Sequence, residues 1–166
     1  MKAKTYKIII GLFSLILLAS CGSEDKMNFY EQTSDTELKE ELNAIKIGST
    51  ELEVKEAFGE PNSTEETKNS MYLKYGSQEY KYAQFQIVNG IVKRYFFSDK
   101  QYNKNKKVGI GSSKQTIITE YGENYYIRDD SSDKVLGYFD KDKGINIEFA
   151  FEDSKVIGIE VSKVNK

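Results

Sequence analysis

Ile47-Gly48-Ser49-Thr50 returns 63 residues later as Ile110-Gly111-Ser112-Ser113, and that offset organises most of the chain. At the same spacing Ile117 answers Val54, Tyr121-Gly122-Glu123 answers Phe58-Gly59-Glu60, and Tyr138 answers Tyr75. After one inserted residue Phe149 falls on Phe85, Asp153-Ser154 on Asn89-Gly90, and Val156 on Val92. A helix N-cap, a helix face, a glycine stop and a hairpin turn thus recur in register. Self-similarity of this kind marks one supersecondary unit used twice, with the two copies stacked to complete a core.

The local signals say what the unit is. Leu38, Leu42 and Ile45 recur at helical spacing behind Ser34-x-x-Glu37, a capping-box pattern, which predicts a first helix of about ten residues from Asp35. Thr50-x-x-Glu53 caps a second helix carrying Leu52, Val54 and Phe58, and Gly59-Glu60-Pro61 stops it. Strand-like runs follow at Met71–Tyr75, Tyr80–Val88 and Ile91–Phe97, the last two joined by Asn89-Gly90, the strongest short hairpin signal. The second copy lacks the first helix, because Ser98–Lys107 is a polar, lysine-rich loop without helical period.

Residues 1–20 do not belong to this fold. Lys2, Lys4 and Lys7 make a basic start, Ile8–Leu18 is uncharged, and Leu18-Ala19-Ser20 leads into Cys21, the only cysteine. The apolar run is too short to span a bilayer, which needs about 20 residues. Leu18-Ala19-Ser20-Cys21 resembles the lipobox of bacterial lipoproteins. The resemblance implies a signal peptide cut before Cys21, lipidation of Cys21 with diacylglycerol, acylation such as palmitate at the new amino terminus, and a partner in the lipid bilayer. Two acyl chains give stable anchoring where one does not. Residues 22–34 are polar and aperiodic, so 21–34 reads as a flexible tether ahead of a first repeat at 35–98, a linker at 99–107 and a second repeat at 108–166.

The half-unit Ile-Gly-Ser-Thr, then Val, then Phe-Gly-x-Pro, then a meander, resembles the small lipoproteins of the outer-membrane assembly machinery. Two in tandem resemble the β-lactamase inhibitory protein fold, and the stretch Gly137–Phe149 is similar to uncharacterised lipoproteins of Gram-positive bacteria. The implied fold class is α+β: two tandem helix, loop-helix and antiparallel-sheet repeats that share a curved sheet with helices on one face. The chain has neither the stapling cysteines nor the tryptophan of that inhibitor, so β-lactamase inhibition is not carried over.

In Ile145–Glu152 apolar and polar residues alternate, which places Ile145, Ile147, Phe149 and Phe151 in the core and Asn146, Glu148 and Glu152 outside. In the first copy the same rule buries Ala83, Phe85 and Ile87. It exposes Tyr82, Gln84 and Gln86, which with Tyr72, Lys74, Asn146 and Glu148 form the candidate partner-binding face. Tyrosines with polar neighbours suit protein recognition.

Chemistry is narrowed by what the chain lacks. It has no histidine and one cysteine, which leaves no Ser-His-Asp triad, Cys-His pair or ordinary zinc site. Asp129, Asp130 and Asp133 read as a solvated Ser-rich loop, Ile127–Lys134. Asp140-Lys-Asp142-Lys-Gly144 opens like a calcium loop but has Phe151 where a bidentate Glu belongs, and reads as a hairpin turn. Lys100, Lys104, Lys106 and Lys107 read as a solvated linker. Without the signal peptide's three lysines the formal charge falls from −2 to −5, which speaks against nucleic acid. No catalytic residue, metal or cofactor is expected. Lys, Asn, Ile and Tyr richness points to an AT-rich Gram-positive source. The functional expectation is a non-enzymatic, membrane-anchored extracytoplasmic module that binds another extracytoplasmic protein. The alternative is a cell-envelope receptor for a small molecule or wall polymer.

Overall fold

The computed structural model describes residues 21–38, 41–78, 81–103, 107–130 and 133–164, so the predicted signal peptide, 1–20, lies outside it. Among these residues three α-helices and eight strands make a mixed α+β fold dominated by sheet: α1 Cys21–Gln32, α2 Glu51–Phe58, β1 Ser63–Glu66, β2 Met71–Gln78, β3 Lys81–Val88, β4 Ile91–Phe97, α3 Lys114–Tyr121, β5 Tyr126–Asp130, β6 Asp133–Asp140, β7 Ile145–Glu152 and β8 Lys155–Lys163. The strands form one antiparallel sheet in the order β1-β2-β3-β4-β8-β7-β6-β5. Its middle is the β4–β8 seam, where Arg94 pairs with Ser162, Tyr95 with Val161, Phe96 with Glu160 and Phe97 with Ile159. Among the described residues no helix is long and apolar enough to cross a membrane.

α2 forms where its caps demand. The Thr50 side chain accepts from the Glu53 N–H, the Glu53 carboxylate accepts from the Thr50 N–H, and Gly59 ends the helix with φ +80°. α3 begins at Ser113, whose hydroxyl accepts from the Thr116 N–H, and ends at Gly122 with φ +89°. Backbone bonds then lock each helix start onto a hairpin. Gly48 donates to the Val92 carbonyl (2.9 Å) and Val92 to that of Ser49 (2.7 Å), while Gly111 donates to Val156 (2.7 Å) and Val156 to Ser112 (3.0 Å). At the far ends the Tyr75 hydroxyl donates to the Gly59 carbonyl and the Tyr138 hydroxyl to that of Gly122. Asn89 and Gly90 both take positive φ, +51° and +77°, as their hairpin requires, and Asp153 and Ser154 do the same at +46° and +64°.

One apolar core fills the space between the sheet and α2 and α3, with Val54, Phe85, Tyr95, Ile117, Tyr138 and Phe149 at its centre. A second, smaller core lies on the opposite face, where Tyr30, Tyr126 and Phe139 meet Met27, Phe29 and Val164. The helices therefore occupy both faces, not one.

Two expectations at the start of the chain are corrected. Residues 21–32 form α1 rather than a flexible tether, because Lys26, Phe29, Tyr30 and Thr33 fall on one helical stripe and each finds a partner on the sheet or its loops. The helix predicted from Asp35 is absent from the described residues. Instead Thr36 donates to the Phe139 carbonyl (3.1 Å), Leu38 to the buried Asp140 carboxylate (3.0 Å), and Leu42 and Ile45 bridge around Asn43 and Ala44 at positive φ. Leu38, Leu42 and Ile45 are all buried, as their spacing required, but by a strap and tight turn.

Further along, the loop expected at 127–134 is the β5–β6 hairpin, of which residues 131–132 lie outside the described set. Asp140–Gly144 is the hairpin turn expected, with Asp140 opposite Ile145. In the 99–107 linker, Lys100–Asn103 makes a 3-10 turn that seats Tyr102 against the core, its hydroxyl donating to the Tyr75 carbonyl (3.2 Å), and Lys107 pairs with Glu120. Lys104 and Lys106 lie outside the described residues.

Candidate surface site on the sheet

α1 covers the second face of the sheet only over the C-terminal strands. Phe29 meets Tyr126 and Phe139 at ring-centre distances of 5.6 and 6.4 Å, and Tyr30 meets Phe139 edge-on at 4.9 Å. Asn146 and Glu148, read from alternation as outward and accessible, lie beneath this cover and are only 2% and 8% exposed. They are corrected from binding-face residues to members of a buried polar cluster. The Glu148 carboxylate takes hydrogen bonds from Lys26 (2.8 Å), the Tyr126 hydroxyl (2.6 Å) and Arg128 (3.2 Å). Asn146 donates to the Tyr138 carbonyl and shares hydrogen bonds with the Tyr126 hydroxyl.

Five of the expected residues remain together on the uncovered half. Tyr72 and Lys74 of β2 stand directly opposite Gln86 and Gln84 of β3. The Gln86 amide donates to the Tyr72 hydroxyl (2.9 Å) and to Ser70 (3.1 Å), and the Lys74 ammonium lies 4.4 Å from the centre of the Tyr82 ring. Tyr82 packs against Phe96 of β4 at 5.3 Å, and Phe96 in turn covers Gly158 of β8. All five are half-buried, and four of them, Tyr72, Lys74, Tyr82 and Gln86, are engaged in these side-chain contacts, so the surface is an aromatic and amide mosaic rather than a row of free side chains.

Arg94, Phe96 and Glu160 share this face and were not singled out from sequence, although Arg94 and Phe96 alternate visibly with the buried Tyr95 and Phe97. Glu160 could be found only from the register, since β8 pairs with β4 across a long stretch of chain. Where the uncovered half meets α1 there is a groove of about 330 Å³ along the β4–β8 seam.

Glu148 and Glu160 stand opposite each other on β7 and β8. Burial pushes the Glu148 carboxyl up, but the charge and hydrogen bond of Lys26, the Tyr126 hydroxyl and Arg128 outweigh it and hold the group below the usual carboxylate range. Burial also raises Glu160, and Arg94, 3.6 Å away, does not offset it. Burial, then the adjacent Glu148, pushes the Tyr126 phenol far up, so it stays a hydrogen-bond donor. Among the described residues no cluster of three or more His, Cys, Asp or Glu side chains could hold a metal ion. Cys21, the expected lipidation site, is the first residue of α1.

No protein-family model matches the chain, and no curated protein matches it. Solved structures resemble it in fold. An extracellular protein containing a SCP domain from Bacillus anthracis superposes with a TM-score of 0.55 at 12% identity, covering 80% of this chain and 49% of the other. A cysteine-rich secretory protein from Staphylococcus aureus gives 0.56 at 9% identity, covering 79% and 49%. A DUF4309 family protein from Bacillus subtilis gives 0.52 at 12% identity, covering 82% and 91%. The chain thus spans about half the length of the first two. At these identities the likeness is one of fold.

Proposed function

We propose that this chain is a non-catalytic, lipid-anchored extracytoplasmic module that binds another extracytoplasmic protein through the uncovered half of its sheet. The observation that carries the reading is the unequal covering of one face. α1 closes the half around Phe139 and Tyr126, while Tyr72, Lys74, Tyr82, Gln84 and Gln86 stay open beside Arg94 and Phe96. Tyr and Arg are the residues that concentrate binding energy at protein interfaces, and here Tyr72 is already held by Gln86 and Tyr82 by Lys74 and Phe96.

The lipobox-like Leu18-Ala19-Ser20-Cys21 supports anchoring at Cys21 after removal of 1–20, and the Lys, Asn, Ile and Tyr richness supports a Gram-positive cell membrane as its site. The offset of 63, with the matching cap and hairpin bonds of α2 and α3, supports two similar α+β units at 35–98 and 108–166 arranged like the β-lactamase inhibitory protein. Binding, rather than catalysis, fits a site whose most buried carboxylate, Glu148, is spoken for by Lys26, Tyr126 and Arg128.

The test is affinity capture of the anchored protein from gently solubilised membranes of the source cell, with soluble residues 21–166 as competitor and mass spectrometry as readout. A specific protein displaced by the competitor, but not by the same chain carrying Tyr82→Asp, is the expected result. Equal displacement by the variant would remove the sheet face from the proposal.

A further inference from the structure

The groove between α1 and the β4–β8 seam is lined by four cations, Lys26, Lys93, Arg94 and Lys163, and by one carboxylate, Glu160. Lys26 is already paired with Glu148 (2.8 Å), but the other three cations outnumber Glu160 in a chain whose formal charge is negative, so the local field favours an anion. The cations are not all committed. Lys93 is the extra residue of the bulge where Gln86 pairs with Arg94 and Ile87 with Val92, and it makes no ion pair among the described residues. Arg94 stands 3.6 Å from Glu160, beyond good hydrogen-bonding distance, so its guanidinium can still meet a tetrahedral or planar oxyanion. Met27 and Val164 give the same groove an apolar margin. At about 330 Å³ it is at the small end of ligand sites, the size of a headgroup rather than of a protein segment.

Its place in the chain supplies the second argument. Lys26 and Met27 belong to the helix that starts at Cys21, five residues earlier, and five residues of helix rise about 7.5 Å. If Cys21 carries the lipid, these side chains lie within about one Debye length, ~8 Å at physiological salt, of the membrane surface. There the potential of anionic lipids is strongest and basic side chains are drawn to it. We infer that this groove binds the phosphate of an anionic phospholipid headgroup from the bilayer that holds Cys21. The inference rests on the anchoring reading and not on the protein partner. A headgroup held beside the anchor makes a second attachment point, which limits how the domain turns about its tether.

Every described helix and strand lies within residues 21–164, so the unacylated chain from residue 21 is the reagent. It is floated with phosphatidylglycerol vesicles and with phosphatidylcholine vesicles at low ionic strength, with free glycerol 3-phosphate as competitor and circular dichroism to check each variant. The expected result is flotation with phosphatidylglycerol only, weakened at least about tenfold by Lys93→Glu with Arg94→Glu, measurably by Lys93→Ala alone, and hardly by Lys134→Glu with Lys155→Glu, exposed lysines outside the groove. No flotation, or equal loss in both double variants, overturns the groove as the site. Binding of free glycerol 3-phosphate as tight as that of vesicles overturns the lipid as its source. Labelled palmitate that fails to mark Cys21 in cells would remove the anchored bilayer as the source, while the vesicle result would still report on the groove.

Discussion

At the scale of single residues, the facing carboxylates of β7 and β8 make the sharpest predictions, because Glu148 in the cluster under α1 and the half-buried Glu160 beside it are driven in opposite directions. Glu148 titrates below the ordinary value of 4.5 in the folded chain. It therefore contributes stability that is present above pH 4.5 and is lost as the pH falls through its lowered value. Glu160 is raised, so its contribution is full below pH 4.5 and is lost as the pH rises through its raised value. At pH 7, Glu148→Gln should destabilise by about 2 kcal/mol, the scale of charge-assisted bonds lost at a buried site. Glu160→Gln should stabilise at the same pH, because it removes a half-buried charge that faces Glu148. Urea unfolding of both variants between pH 4 and 8 checks the signs, and two changes of the same sign would break the assignment. Gly137 is a different kind of constraint. It pairs with Tyr126 across β5 and β6, and a Cβ there would overlap the tyrosine ring. Gly137→Ala should cost about 1–3 kcal/mol by overpacking, and Tyr126→Leu in the same chain should recover part of it.

At the scale of elements, the two central hairpins carry the same geometry on different residues. Asn89-Gly90 suits positive φ at both positions, whereas Asp153-Ser154 holds Ser154 at +64° against its preference. Ser154→Gly should therefore raise stability by up to about 1 kcal/mol, and Gly90→Ser should lower it by a similar amount. Both are read from urea midpoints, and a Ser154→Gly that lowers stability would rule out the strain. These hairpins, α2 and α3 were legible in the sequence because caps, glycine stops and turn pairs are local signals. The elements that sequence reasoning misplaced are those whose partners are distant. The Leu38, Leu42 and Ile45 spacing tells that three residues are buried, but not that Phe139 and Asp140 claim the backbone N–H groups of Thr36 and Leu38. α1 hides because Lys26 and Thr33 count as polar until Glu148 and Asn124 are set beside them. The candidate face was half legible for the same reason: alternation places a residue on a side of the sheet, and only tertiary packing decides whether a helix lies over it. A helix of 12 residues is marginal in water without its packing. Tyr30→Ala should thus lower amide protection across residues 25–33 without loosening β7 and β8, as read by hydrogen exchange.

At the scale of the whole molecule, the question is whether the two halves are separate bodies or one. The sheet passes through the β4–β8 seam with four paired residues on each strand, and the seam is not a surface contact. Tyr95, Phe97, Ile159 and Val161, all within the seam, are buried in the same apolar core that holds Val54 of α2 and Ile117 of α3. Cutting there would open that core and leave β4 and β8 as long unpaired edges, which soluble proteins avoid. Each half alone is also at the length where burial barely outweighs chain entropy, and the chain has no second cysteine with which to staple it. The physics therefore requires one cooperative unit, however similar the two halves are in sequence. Calorimetry of residues 21–166 should give a single transition whose calorimetric and van't Hoff enthalpies agree. Val161→Ala at the seam should shift that transition as a whole by about 2 kcal/mol, the scale of a cavity left by two buried methyl groups. Two resolved transitions, with Val161→Ala moving only one, would mean that the halves fold independently. The open face of β2, β3 and β4 would then be held by the N-terminal half alone instead of by the full eight-stranded sheet.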